Sequence, residues 1–195
     1  MTLNALYADD DYTDSLLGIT SGEDLRVAAD FSWSIAENAS AYLSAGFEDI
    51  ESEQVGSEAF AAPDWSATHD DDFTTISVGF RVRDIADKVD VQMDYLRSDG
   101  ASEIIVDSSL GGPSEFPELE SLLDYLQFKL SYHQSERLEW NLNLRYQRFD
   151  AEDWALEGVG PDTIPTVLAL GATPYDDEVL IVGIGFRYRI GGEDE

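Results

Sequence analysis

The chain contains no cysteine, and only 11 of its 195 residues are Lys or Arg, against 41 Asp and Glu. Without thiols there is no disulfide, no thiolate zinc site and no Cys-x-x-Cys-His attachment of haem. Any redox chemistry would therefore belong to a partner. A formal charge of −30 excludes nucleic acid as a partner, because phosphate binding needs a basic footprint. No run approaches the roughly 18 apolar residues of a membrane helix, which leaves crossing by strands open, since each barrel strand carries only a weak alternating signal. The opening residues, Met1 to Tyr7, have neither the basic n-region nor the apolar h-region of a secretory signal, so the chain reads as a mature or partial one. Neither His69 nor His133 has a Ser or Cys context resembling a triad, and no glycine-rich run leads into a Lys to cradle phosphate. No enzymatic activity is expected.

The few basic residues are not scattered. Residues 8–24, 50–72, 98–120 and 150–178 hold 27 of the 41 acids and no Lys or Arg. Arg26, Arg81, Arg83, Arg97, Lys129, Arg145, Arg148, Arg187 and Arg189 lie in or at the edge of the segments between those stretches, and Lys88 and Arg137 fall in short turns. Salt adaptation would explain the acidity but not this segregation. Long acidic loops joined by two-faced strands are the plan of an outer-membrane β-barrel, with long loops at one rim and tight turns at the other.

The intervening segments alternate with period 2, the pleat of a strand. Leu25, Val27, Ala29, Phe31, Trp33 and Ile35 share one parity, and Arg26, Ala28, Asp30, Ser32 and Ser34 the other. Segments 40–49, 73–83, 89–97, 122–133, 138–148 and 179–190 repeat the pattern, and most have the 9–12 residues that a tilted membrane strand needs. With 2–8 they make eight strands, joined by short turns at 36–39, 84–88 and 134–137. Trp33, Phe47, Phe73, Tyr95, Tyr132, Trp140, Tyr146 and Tyr188 gather at strand ends, where interfacial girdles belong. A soluble sandwich also alternates, but long and short connections would not then alternate without exception. The expected fold is an all-β, antiparallel up-and-down transmembrane barrel over 1–190, with long acidic extracellular loops and an acidic tail at 191–195.

Arg81, Arg83, Arg145, Arg187 and Arg189 share the polar parity with Asp30, Asp90, Asp94 and Glu139. Opposite charges pairing across strands inside the lumen would explain them; so would a lumen wall fitted to a charged object. Gly46, Gly79, Gly183 and Gly185, on the same parity, would let another backbone or a cofactor edge approach closely. Asp9–Asp11 and Asp70–Asp72 could hold divalent cations through oxygen, although the twelve-residue calcium-loop spacing is missing, and plain solvated acidic loops are the preferred reading.

The C-terminal third carries a more specific pattern. Arg145-Tyr-Gln-Arg-Phe-Asp150, Asp153-Trp-Ala-Leu156, Pro161-Asp-Thr-Ile-Pro165, Val167-Leu-Ala-Leu-Gly171, Tyr175-Asp-Asp and Val182-Gly-Ile-Gly-Phe-Arg-Tyr-Arg-Ile190 resemble the end of the MtrB/PioB family of outer-membrane barrels. Tyr12-Thr-Asp-Ser-Leu-Leu-Gly18 and the hairpin spacing are similar too. The resemblance implies a non-enzymatic, porin-like sheath that holds a multihaem c-type cytochrome, with periplasmic and outer-surface cytochromes as partners and haem carried by them alone. It also implies that this chain, at 195 residues, corresponds to the C-terminal arc of a wider barrel, set in outer-membrane lipid. Gly185, Tyr188 and Ile190 would then be read by the barrel-assembly machinery, with Ile190 standing where such signals usually end in an aromatic. Arg81, Arg83, Arg145, Arg187 and Arg189 would be the lumen-facing contacts to the cytochrome. A self-contained eight-stranded barrel with an adhesin or envelope-stabilising role is the alternative, and an acidic soluble β-protein binding calcium is a third.

Overall fold

The computed structural model describes residues 1–14, 16–58, 62–108, 111, 116–151 and 176–190. Residues 153–171 of the family-like pattern and the tail at 191–195 lie outside them. The chain forms one eight-stranded sheet in sequence order: β1 (Thr2–Asp11), β2 (Gly18–Ala36), β3 (Ala39–Gly56), β4 (Trp65–Ile85), β5 (Val89–Ser108), β6 (Leu119–Ser135), β7 (Leu138–Ala151) and β8 (Asp177–Tyr188). Every neighbouring pair is antiparallel. β1 and β8 are the two edges and do not pair with one another.

The expected strands and short turns are present, but the first three acidic stretches are not mainly loops among the described residues. β3 continues to Gly56 and β4 begins at Trp65; β5 continues to Ser108 and β6 begins at Leu119. The first strand is also longer than 2–8, running to Asp11. At 21 residues, β4 is about 70 Å long. Tilted by about 45°, it rises about 50 Å, against a hydrocarbon core of about 30 Å. Much of the β3–β4 and β5–β6 hairpins therefore stands clear of the lipid.

The alternation persists along that overhang with its polarity reversed at most positions, Asp71 inward and Ile105 and Leu122 outward being exceptions. Within the membrane band the outward parity is apolar, as at Ile76, Val78 and Phe80 of β4 or Leu138, Trp140, Leu142, Leu144 and Tyr146 of β7. Beyond the band the same parity carries Asp49, Glu51, Asp70, Asp72, Asp99 and Glu103, while the inward parity turns apolar at Ile50, Phe73, Ile104, Leu123 and Phe149. Lipid touches the outward face only within the band. Above it that face meets water, so acids are the stable choice there.

No second layer buries the apolar face among the described residues. Among the described residues, Ala67 is the only buried hydrophobic, whereas Ile184 is 76% exposed and Val182 58%. A sandwich would cover these side chains with a second sheet; a barrel wall offers them to lipid. Tyr132 faces Trp140, whose ring lies 5.7 Å from that of Phe186, and this forms an aromatic belt on the short-turn side. Phe47, Tyr95 and Tyr146 lie at the other edge of the band. Phe73, expected in a girdle, instead shares the inward parity with Thr75 and Ser77 and packs over Gly100.

The three short turns are tied to the next hairpin. The Asn38 carbonyl accepts the Arg83 N–H at 2.8 Å, that of Lys88 the His133 N–H at 2.7 Å, and that of Arg137 the Arg189 N–H at 2.9 Å. In the 84–88 turn, Asp84, Ala86 and Asp87 have φ between 52° and 59°. Asp tolerates that left-handed region through its short polar side chain, and Ala86 does so at some cost.

Candidate functional site: the polar face and its rims

Cross-strand pairing gathers the polar parity into rows. One row runs Ser40, Arg81, Gln92, Lys129, Asn143, Gly183; the next runs Tyr42, Gly79, Asp94, Gln127, Arg145, Ile181. The five candidate arginines thus belong to one face, but their partners differ. Arg187 reaches Glu139 at 3.4 Å. Arg81 bonds Gln92 at 2.8 Å, and Arg145 bonds Gln147 at 2.9 Å with its guanidinium over the Tyr125 ring. Arg83 and Arg189 hold the short-turn rim through their backbone N–H groups. Among the described residues, Arg81, Arg83, Arg145 and Arg189 form no ion pair, so internal neutralisation explains only part of the set.

At the short-turn rim, Lys88, Arg137, Arg187 and Arg189 line one recess with His133 and the acids Asp87, Glu136 and Glu139. His133 lies between two acids, its Nε2 3.3 Å from Asp90 and its Nδ1 3.9 Å from Glu139. Four of the chain's eleven Lys and Arg meet here, interleaved with three acids.

Of the four glycines on the polar parity, Gly79 departs from expectation. Gly79 is not open to a foreign backbone, because the Tyr42 ring of the paired strand lies across it, with the Tyr42 hydroxyl donating to Asp94 at 3.0 Å. Phe73 covers Gly100 and Trp65 covers Gly56 in the same way, each as a direct cross-strand pair. A Cβ at Gly46 or Gly183 would make only ordinary contacts, and one at Gly185 would meet nothing. Of the proposed assembly signal, Gly185 pairs with Asn141 and Tyr188 with Leu138, while Ile190 lies beyond β8 and is 89% exposed.

The pleat also divides the aspartate runs. Asp70 and Asp72 face outward and Asp71 inward, and Asp49 joins the outward pair so that the three carboxylates of Asp49, Asp70 and Asp72 lie within 4.8 Å of one another. One step further out, Asp9, Glu23, Glu51, Asp70 and Glu103 form a single row of carboxylates across five strands. Directly opposed like charges destabilise a sheet. Partial burial first, and the surrounding carboxylates second, raise Glu51 and Asp70 above their ordinary values. A folded pKa above the unfolded one gives stability that is complete below the unfolded value and lost as pH rises through the folded value. The overhang should therefore become more heat-resistant as pH falls from about 7 towards about 4. Melting curves across that window check it, and Glu51→Gln should flatten the dependence.

Comparison with known proteins agrees with this geometry. Residues 1–190 match the MtrB/PioB family of outer-membrane β-barrel porins. The chain belongs to that family. It is 25% identical to the outer membrane protein MtrB of Shewanella baltica over 189 residues, covering 95% of this chain and 26% of that protein. The sheet also resembles part of the crystal structure of BauA, the ferric preacinetobactin receptor from Acinetobacter baumannii, with a TM-score of 0.51 and 13% identity over 85% of this chain and 28% of that one. That likeness speaks to fold alone. As an MtrB/PioB protein the chain is an outer-membrane, porin-like barrel protein, and it spans about a quarter of the length of the curated relative it matches.

Two features of the MtrB/PioB wall escaped the sequence reading. The cover of Tyr42 on Gly79 depends on a register that sequence does not state. The second left a legible trace: Tyr95-Leu-Arg97-Ser-Asp99 and Tyr146-Gln-Arg148-Phe-Asp150 are two copies of Tyr-x-Arg-x-Asp.

Proposed function

We propose that this chain forms an arc of a wider barrel wall that sheathes a multihaem c-type cytochrome, so that electrons cross the outer membrane through the partner's haems. The recess at the short-turn rim is the observation that carries the reading. It places Lys88, Arg137, Arg187 and Arg189 together, and outer-membrane barrels keep their short turns on the periplasmic side. An acidic cytochrome surface or exposed haem propionates would meet complementary charge there before entering the lumen. The inward face beyond it is polar, with Arg81 and Arg145 free of ion pairs among the described residues. A closed eight-stranded barrel is just wide enough for its own side chains, whereas here β1 and β8 remain separate edges. Family membership supports the sheath over the adhesin-like alternative.

The test is co-purification of haem protein with the full-length barrel protein from native outer membranes. Reversing Arg187 and Arg189 together to Glu should lower cytochrome retained per barrel by about tenfold, with electron flux into proteoliposomes falling in parallel. Wild-type protein that retains no haem protein, or a reversal variant that retains it undiminished, rejects the reading.

A further inference from the structure

The two Tyr-x-Arg-x-Asp copies lie on β5 and β7 in strict register. Tyr95 pairs with Leu126 and Leu126 with Tyr146; one step outward, Arg97 pairs with Asp124, Asp124 with Arg148, and Arg148 with Glu178. The result is a row of alternating sign on the parity that faces lipid. Arg97 and Arg148 are the only strand cations on that parity among the described residues; the others (Arg26, Arg81, Arg83, Lys129, Arg145 and Arg187) take the inward one. Their backbones lie about 10 Å apart, two strand spacings, and with Tyr95, Tyr146, Asp124 and Leu126 they line a shallow cleft.

Along each strand the order is fixed: tyrosine at the edge of the apolar band, arginine next, aspartate outermost. The Tyr95 hydroxyl donates to Asp124 at 2.6 Å, which locks the tyrosine layer to the row above. Arg97 meets Asp99 at 3.0 Å and Arg148 meets Asp150 at 2.7 Å, yet the two arginine side chains stay 47% and 53% exposed. Each guanidinium has five donors, more than Asp99 with Tyr95, or Asp150, engage among the described residues.

We propose that this row is a seat for the phosphate-bearing headgroups of outer-leaflet lipid. Outer-membrane barrels carry their short turns on the periplasmic side, and the row lies at the opposite edge of the band, continuous with the lipid-facing surface. Tyrosine belongs at the boundary between acyl chains and headgroups, arginine at the depth of the phosphates, and aspartate where divalent cations bridge neighbouring phosphates. The alternating signs let one row accept both the anions and their bridging cations. This inference needs only the outer-membrane barrel and stands apart from the cytochrome reading.

The experiment uses the full-length protein reconstituted in phosphatidylcholine vesicles containing bis-phosphorylated lipid A, or the same glycolipid after phosphatase treatment, with magnesium. Glycolipid retained per protein after detergent extraction is measured by mass spectrometry. Wild type should retain the phosphorylated form in preference. Arg97→Gln with Arg148→Gln should lower that retention by about tenfold, while Lys129→Gln, on the inward face, leaves it unchanged. Arg97→Lys with Arg148→Lys keeps two cations at the same depth and should preserve the preference for phosphate; it decides the matter if the Gln pair does not fold, as judged by heat-modifiable migration. Equal retention of the two glycolipid forms by wild type, full retention by a folded Gln pair, or loss of the preference in the folded Lys pair overturns the proposal.

Discussion

Leu142→Arg should destabilise the inserted protein by about 2–4 kcal/mol, the cost of a cation on the lipid face near the bilayer midplane. Leu142 is the central outward residue of the apolar run 138–146 and pairs with Leu130 and Ile184, both apolar. An arginine there must snorkel past neighbours that offer no partner. One residue earlier, Asn141 faces the lumen, accepts the Ser131 hydroxyl at 2.7 Å and lies beside Gly185, above which there is open space. Asn141→Arg should cost only the lost hydrogen bond, about 1 kcal/mol. Denaturant titration of the full-length protein in lipid vesicles compares the two, and equal tolerance at both positions would refute the face assignment.

Gly79→Val should cost about 1–3 kcal/mol, although by intrinsic preference valine is the better strand residue. The φ of Gly79 is not in the left-handed region, so the backbone itself accepts a side chain. The obstacle is Tyr42, whose ring occupies the space a Cβ would need and is held by its hydroxyl on Asp94. Removing the ring should leave only the Asp94 carboxylate against the new side chain: Tyr42→Ala with Gly79→Val should be more stable than the sum of the single losses predicts. A double-mutant cycle measures that coupling, and additive losses would show that the ring does not depend on the missing Cβ.

The band within the membrane was legible in the sequence because lipid on one side and a polar lumen on the other impose strict alternation, as along 138–148. The overhang was not. There the outward face exchanges lipid for water and the polarity of alternation reverses; residues such as Glu51, Ile50 and Asp70 then look like an acidic loop although they keep the pleat. Phe73 was misassigned for the same reason, since it sits where the apolar parity changes sides. Which arginines are paired and which are not depended on register: Arg187 opposite Glu139 and Arg81 opposite Gln92 follow only from knowing which residues face one another.

Because each strand pairs only with its neighbours in sequence, the wall is modular in units of one hairpin. The two Tyr-x-Arg-x-Asp strands are separated by one such unit, as duplication of a hairpin would leave them. A wall of this kind can widen by gaining a hairpin between existing ones, with each newcomer pairing locally on both sides and no established contact redrawn beyond the seam. The circumference of such a barrel is therefore open to evolution in discrete steps, while the chemistry at each height of the wall is inherited with the hairpin that carries it.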